Sequence, residues 1–205
     1  MIFDDPAAAL AGAYPSRWAR LRPRLAGHPL FALPALAELA ARLPSSCIEY
    51  NAGDLPIDQD PDRTPMNGLT PEETVRRIAE CGSWMVLKHV EQDAAFKALL
   101  EAALAEIAPA VASATGRMHR RIAFVFVSSP GAVTPLHMDP EHNILMQLEG
   151  TKRLHVYPTG CGLVSAEQHE AYHAGEAHRN LRHDPSRDGL VETIELAPGD
   201  GAFVP

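Results

Sequence analysis

The segment 134–158, TPLHMDPEHNILMQLEGTKRLHVYP, contains the side chains best suited to chemistry. His137 and Asp139 are two residues apart, and residues two apart on an extended strand point to the same side. An imidazole and a carboxylate that reach one point, joined by a second His, form the facial triad of non-haem Fe(II) oxygenases. The His-x-Asp pattern therefore predicts two metal ligands, His137 and Asp139, on a strand over 136–139.

Lys152 follows Asp139 by thirteen residues, in a segment whose composition predicts a buried strand. It shares one face of that strand with Leu154 and Val156, whereas His155 lies on the other face. A buried lysine is unfavourable unless it meets an anion. Two interpretations follow: the ammonium reaches solvent from the end of the strand, or it pairs with a carboxylate of a ligand bound near the metal.

The same segment resembles the core of the JmjC-type, cupin-like Fe(II)/2-oxoglutarate oxygenases. The shared features are the Thr-Pro before the His-x-Asp, the His-x-Asp itself, an Asn four residues past its Asp, a turn Gly, and a Lys two residues past that Gly. PGDGAFVP also resembles the turn and strand before the family's distal His. The resemblance covers roughly 120–205 and is nearest to the asparaginyl hydroxylase of hypoxia-inducible factor and to bacterial cupin-like relatives.

By position, the resemblance implies that His137 and Asp139 bind Fe(II). It implies that Lys152 pairs with the distal carboxylate of 2-oxoglutarate, that Thr134 hydrogen-bonds the same carboxylate, and that Asn143 lies beside this co-substrate. The implied reaction couples the oxidative decarboxylation of 2-oxoglutarate by O₂ to hydroxylation of a C–H bond in a protein or a small molecule. In such an enzyme the metal supplies the oxidative chemistry, and the protein supplies ligands and orientation.

The third ligand of that family, a distal His, is expected a few residues after PGDGAFVP, just beyond Pro205. The sequence is therefore expected to be a truncated form or a fragment, or a protein that has lost this ligand; we favour the first. A non-catalytic cupin-like protein that binds a metal or a carboxylate is the main alternative. A metal-dependent cupin isomerase or hydrolase is a third, against which Lys152 argues, because that chemistry needs no buried anchor for a carboxylate.

The elements that must position these residues change in character near Gly116. Before it, Ala-, Leu- and Pro-rich segments predict helices with two short strands between them; after it, short strands and turns predominate. The predicted helices cover 34–43, 70–81 and about 92–113. The predicted strands cover 47–53, 83–90, 121–129, 136–139, a hairpin over 143–158 with its turn at Glu149-Gly150, 190–196 and 202–205.

We therefore predict a mainly β fold with flanking helices. Its core, over 116–205, is expected to be a double-stranded β-helix of the cupin or jelly-roll type, incomplete at its C-terminus. A helical or mixed region over 1–115 is expected to pack on this barrel. The segments 54–67 and 159–189 are predicted to be irregular loops because they are rich in Pro, Asp and other polar residues.

Several further residues are weighed as secondary candidates. Asn51 and Tyr50 are candidates for the edge of the pocket, and His142 is expected at its entrance rather than among the ligands. The irregular segment 159–189 contains four histidines that are either a substitute ligand or, as we favour, a solvated loop. These are His169, His173, His178 and His183.

Composition bounds the class of protein. The chain has 205 residues, 46% hydrophobic and 21% charged, as expected of one globular domain. A formal net charge of -8 argues against nucleic acid or an anionic membrane as the main partner. Three widely spaced cysteines fit reduced thiols, and neither a leader nor a membrane-spanning run is found. A cytoplasmic protein is predicted, with a homodimer as one candidate assembly.

Overall fold

The computed structural model describes residues 1–60 and 63–205, so the predicted loop over 54–67 falls partly outside the described residues. Helices account for 33% and strands for 19%, which makes the structure mixed α/β with antiparallel sheets. The helices are α1 (Pro6–Leu10), α2 (Leu33–Arg42), α3 (Pro71–Arg76), α4 (Ala94–Thr115) and α5 (Ala166–His173). The strands are β1 (Ala19–Leu21), β2 (Ile48–Ala52), β3 (Ser83–Leu87), β4 (Val125–Ser128), β5 (Asn143–Met146), β6 (Lys152–Val156), β7 (Glu192–Leu196) and β8 (Gly201–Val204).

The strands form three antiparallel sheets within the described residues. Their orders are β1-β8-β5, β2-β3-β4 and β6-β7. The first two sheets each join strands from both sides of residue 116. The strand β1, which sequence reasoning missed because it has only three residues, pairs with β8 at the opposite end of the chain.

The β1-β8-β5 sheet is covered on both faces. On one face, Ile144 and Phe203 pack with α1 and α4. On the other face, Leu145 and Val204 pack against the buried cluster of the β6-β7 sheet, which is formed by Val156, Ile194 and Leu196. The alternation of side chains along β5 explains this division, because neighbouring residues on a strand point to opposite faces. Asn143 is the first residue of β5, and Lys152 is the first residue of β6. Both lie on the faces of their strands that are turned toward the interior between these two layers.

The β2-β3-β4 sheet presents one face to α2 and α3. Met85 and Leu87 are fully buried there, together with Val75 of α3. The helix α3 begins with the predicted capping box, in which the Thr70 hydroxyl accepts from the amide of Glu73 and the Glu73 carboxylate accepts from the amide of Thr70. This confirms the start of that helix, although it ends at Arg76 rather than near 81.

Two sequence-based predictions about these elements are wrong. The strands β5 and β6 do not form a hairpin with each other, since β5 pairs with β8 and β6 pairs with β7. The turn at Gly150, which has a left-handed φ of 66°, instead carries the chain from one layer to the other. The segment 159–189 is not wholly irregular, because it contains α5, whose Ser165 and Gln168 form a second capping box.

Gly53 is the tightest point of the connection between β2 and the segment before His137. A Cβ built at this position would lie 2.9 Å from the Cβ of Ala132 and 3.0 Å from the backbone carbon of Ser83. Contacts this short force neighbouring backbone to move. We expect Gly53→Ala to lower the free energy of unfolding by about 1–3 kcal/mol, measured by urea titration.

The matched control for this substitution is Gly189→Ala. Gly189 has no heavy atom within 4 Å of the equivalent Cβ position, and its φ lies outside the left-handed region. Its replacement should leave the free energy of unfolding nearly unchanged. Equal stability of the two variants would contradict the close contact at Gly53.

Candidate active site

The segment around His137 is extended but belongs to no regular strand, which corrects the prediction of a strand over 136–139. It lies between two other segments of the chain. The amide of Leu136 donates to the carbonyl of Ile57, at 2.8 Å, and the carbonyl of Leu136 accepts from the amide of Leu181, also at 2.8 Å. His137 forms an isolated β-bridge with Asn180. The extended backbone still places His137 and Asp139 on one side.

The His137 and Asp139 side chains meet at the surface of this segment. The Nε2 atom of His137 lies 3.5 Å from Oδ2 of Asp139, and the two side chains are 28% and 27% exposed. The Nδ1 atom of His137 lies 2.8 Å from the carbonyl oxygen of Pro135, so it donates to that oxygen. In a neutral imidazole this bond leaves the Nε2 lone pair facing the carboxylate. Two electron-rich atoms so close require a cation, either a proton or a metal ion.

The Asp139 carboxylate has two further partners. Arg179 donates from Nη1 to Oδ1 at 3.1 Å, and the Asn143 amide donates to Oδ2 at 2.8 Å. Asn143 therefore orients the oxygen that faces His137, whereas Arg179 neutralises the other oxygen. Carboxylates that bind metals are commonly held by such neighbouring groups.

The pKa values of the pair shift in opposite directions. Burial lowers the pKa of His137, but the adjacent Asp139 carboxylate and the Pro135 carbonyl outweigh it, and the pKa is raised overall. Burial raises the pKa of Asp139, but His137, Arg179 and Asn143 outweigh it, and the pKa is lowered overall. Asp139 is therefore ionised at neutral pH, in the form that binds a cation.

Lys152 lies on the inner face of β6, as its alternation with Leu154 and Val156 predicts. The burial of β6 alternates in the predicted sense, and Arg153 and His155 are exposed. The pKa of Lys152 is lowered by burial alone. Within the described residues its ammonium has neither a hydrogen-bond nor an ion-pair partner. The side chain thus carries a partly desolvated charge that no group in residues 1–60 and 63–205 neutralises.

Asn143 and Lys152 face the same interior. Asn143 shares its face of β5 with Leu145 and lies opposite Val204 on β8. Leu145 and Val204 pack against the cluster that contains Val156, which shares its face of β6 with Lys152. The structure thereby places one predicted co-substrate residue on each of two facing layers.

The other predicted residues lie elsewhere in the described structure. Thr134 is half-buried, one residue after Val133, whose amide donates to the carbonyl of Gly53 at 2.9 Å. His142 points to the opposite face of β5, where its ring contacts Tyr14 and Phe203. The histidines of 159–189 are mostly exposed: His169 and His173 lie on α5, His178 accepts from the amide of Asn180, and His183 pairs with Asp188.

Arg179 is the residue of the site that sequence reasoning missed. It is 28% exposed at its side chain and bonds a residue forty positions earlier in the chain. Its own neighbours, HRNLRHD, contain no spacing that predicts this contact. Only the extended pairing of 136–138 with 179–181 brings it to Asp139.

The two donor side chains, His137 and Asp139, are of types that bind Fe(II). A neutral imidazole with its Nδ1–H held by a backbone carbonyl, beside an ionised carboxylate, is a typical pair of ligands for that ion. Within residues 1–60 and 63–205, however, no three His, Cys, Asp or Glu side chains are grouped so that they could hold a metal ion. The described part of the chain therefore brings together two side chains of metal-binding type, His137 and Asp139, and no third.

Comparison of the chain with family models, with curated proteins and with solved structures gave no match. Across the described residues, no helix has both the length and the apolar character needed to span a bilayer. The functional argument therefore depends on the site itself.

Proposed function

We propose that this protein is an Fe(II)- and 2-oxoglutarate-dependent hydroxylase of the JmjC, cupin-like type, acting on a protein or a small molecule. The observation that carries the proposal is the pairing of His137 Nε2 with the Asp139 carboxylate at 3.5 Å, in a chain that also holds an unpaired, partly buried Lys152 on the facing layer. The His137–Asp139 pair lacks a cation, and the Lys152 ammonium lacks an anion. A metal ion that carries a dicarboxylate would supply both, because the metal would bind the pair and the distal carboxylate would bind Lys152. The two packed antiparallel layers are compatible with a double-stranded β-helix core.

The residues have distinct roles in this proposal. His137 and Asp139 would hold Fe(II), which supplies the activation of O₂ when it is bound. Asn143 keeps the metal-binding oxygen of Asp139 oriented through its 2.8 Å hydrogen bond. Lys152 would bind the distal carboxylate of 2-oxoglutarate, with the Thr134 hydroxyl as a second donor. The apolar neighbours of Lys152 exclude water and so strengthen this charge pairing.

A second candidate function is supported by Arg179. This guanidinium already provides a cation to Asp139, at 3.1 Å, and so can stabilise the carboxylate without a metal. Under this alternative, the protein binds a small carboxylate through Lys152 and performs no oxidation. The two candidates differ in whether 2-oxoglutarate and a metal ion bind together.

Calorimetry with Mn(II) in place of Fe(II) tests the proposal. We expect 2-oxoglutarate to raise the affinity for Mn(II) by about 5–150-fold, the usual range for coupled sites, because the co-substrate adds donors to the metal. With Fe(II), ascorbate and O₂, succinate should then form above the metal-free control. Binding of 2-oxoglutarate that is indifferent to Mn(II) would support the non-catalytic alternative, and absence of 2-oxoglutarate binding would refute the hydroxylase.

A further inference from the structure

The helix α4 is apolar on nearly its whole circumference. Its inner side, which includes Phe96, Ile107 and Val111, is buried. Its outer side consists mostly of alanines, and of the 22 residues of α4, all of them described, Lys97 and Glu101 alone are both charged and exposed. A surface helix usually carries charged and polar side chains opposite its buried side, whereas a helix that is apolar all round is buried. The outer side of α4 therefore has the composition of an interface.

A groove of about 500 Å³ adjoins this outer side. One wall is α4 itself, where Ala105, Ala108 and Ala112 line the groove at steps of three and four residues. This spacing is typical of the seam between two packed helices. The other wall is the segment 116–121, in which Met118 lines the groove and packs on the core cluster shared by α1 and α4.

The segment 116–121 turns back beside α4, which makes the groove long. The segment begins at Gly116, at the C-terminus of the helix, and the amide of Ala123 then donates to Glu91, which precedes the N-terminus. Glu101 and Gly116 both line the groove, so its length along the helix is about 22 Å. A small ligand is usually enclosed over most of its surface, but most residues of this groove are exposed. Its shape therefore fits an elongated partner.

The second wall is basic, although the chain has a formal net charge of -8. Arg117 and Arg121 line the groove, and Glu101 is the one acidic residue among the described residues that do so. Within residues 1–60 and 63–205, neither arginine has a hydrogen bond or an ion pair, whereas most other arginines of the chain pair with a carboxylate. Complementary charge favours a partner that brings carboxylates to this wall.

We propose that this groove binds an amphipathic helix of a partner protein, with large apolar side chains toward Ala105, Ala108 and Ala112 and acidic side chains toward Arg117 and Arg121. Recognition of a helix in a groove uses apolar anchors three and four residues apart, and small residues leave the holes into which such anchors fit. The inference does not depend on the proposed function, because none of the residues assigned to that function lines the groove.

A synthetic acidic peptide tests the groove on the whole chain. It has about 18 residues, enough to span the groove as a helix, with leucines at steps of four and three residues and glutamates on both flanks. Fluorescence anisotropy should give a dissociation constant of about 1–100 μM, and circular dichroism should show that the peptide gains helix on binding. A scrambled peptide of the same composition, and a peptide with lysine in place of glutamate, should bind at least about tenfold more weakly.

Two sets of variants locate the binding. Ala105→Glu should weaken binding of the acidic peptide about tenfold or more, because it places a charge in the apolar seam. Ala102→Glu is the matched control, since Ala102 is also exposed on α4 but does not line the groove, and each new glutamate lies four residues from an existing one. The double variant Arg117→Glu with Arg121→Glu should reverse the preference, so that the lysine peptide binds more tightly than the acidic one.

Thermal denaturation of each variant separates lost binding from lost folding, and exposed Ala105 should tolerate its change. Absence of binding by the acidic peptide, equal binding of the scrambled peptide, or binding that Ala105→Glu leaves unchanged would overturn the proposal. Self-association of the chain that Ala105→Glu abolishes would also overturn it, by assigning the groove to a second copy. Preferential binding to phosphatidylserine vesicles would do the same, by assigning the groove to a membrane surface.

Discussion

Asp139→Asn should lower the affinity for Mn(II) by about 100-fold or more and abolish the formation of succinate from 2-oxoglutarate. Loss of a group that merely orients a ligand already costs 10–100-fold in metal affinity, and this substitution removes the charged ligand itself. The neutral amide keeps the size of the side chain and can still bond Asn143. Calorimetry with Mn(II), with and without 2-oxoglutarate, measures the effect.

Asp188→Asn provides a matched control. Asp188 forms a comparable pair with His183, whose Nε2 lies 2.7 Å from its Oδ1, but the Asp188 side chain is 55% exposed. Its replacement should leave Mn(II) and 2-oxoglutarate binding unchanged. An Asp139→Asn protein that binds Mn(II) as tightly as wild type would show that the His137–Asp139 pair holds no metal.

Removal of Arg179 distinguishes a metal site at Asp139 from an ion pair that is only structural. Because Arg179 competes with a metal for the negative charge of Asp139, its removal should leave Mn(II) affinity equal or greater if the carboxylate serves as a ligand. If Asp139 serves only to bind Arg179, loss of either residue should lower stability alike, and Mn(II) should bind neither. The same calorimetric series therefore distinguishes the two candidate functions.

The residues of the site that could be predicted from sequence are those set by local geometry. The inward direction of Lys152 follows from the two-residue period of a strand, and the approach of His137 to Asp139 follows from extended backbone, even though that backbone joins no regular sheet. Arg179 could not be predicted, because its contact with Asp139 spans forty residues and depends on how two irregular segments pair.

Errors in the predicted fold have a similar cause. Gly150 correctly marked a turn, but a turn residue does not determine whether the strands that flank it pair with each other or join separate layers. The helix α5 has no buried residue, so it lacks the hydrophobic period from which helices are usually recognised; only the capping residues Ser165 and Gln168 signalled it. Partner choice and burial are properties of the whole chain, which one segment cannot specify.

Lys152→Met should have opposite effects on stability and on ligand binding. The unpaired ammonium is partly buried, so its replacement by an apolar chain of similar length should raise the free energy of unfolding by about 1–3 kcal/mol. The same change should weaken the metal-dependent binding of 2-oxoglutarate by about 100-fold or more, because it leaves the distal carboxylate without its counter-charge. Urea titration and calorimetry measure the two effects.

The pH dependence of stability gives an independent check on the buried charge. Burial lowers the pKa of Lys152 from its ordinary value of 10.5, so the unfolded chain binds more protons between the lowered pKa and 10.5. Stability of the wild type should therefore rise with pH through that window, relative to Lys152→Met. The penalty is fully present below the lowered pKa and disappears above 10.5.

Lys97→Met is the control, since Lys97 is exposed on α4 and its replacement should change neither stability nor binding. Subtracting the free energy of unfolding of Lys152→Met from that of wild type at each pH cancels the contribution of every other group that titrates alike in both proteins. If that difference is flat with pH, Lys152 reaches solvent from the end of β6 and the ammonium is not desolvated. A stabilised variant that keeps its affinity for 2-oxoglutarate would show instead that the buried lysine has some role other than binding this carboxylate.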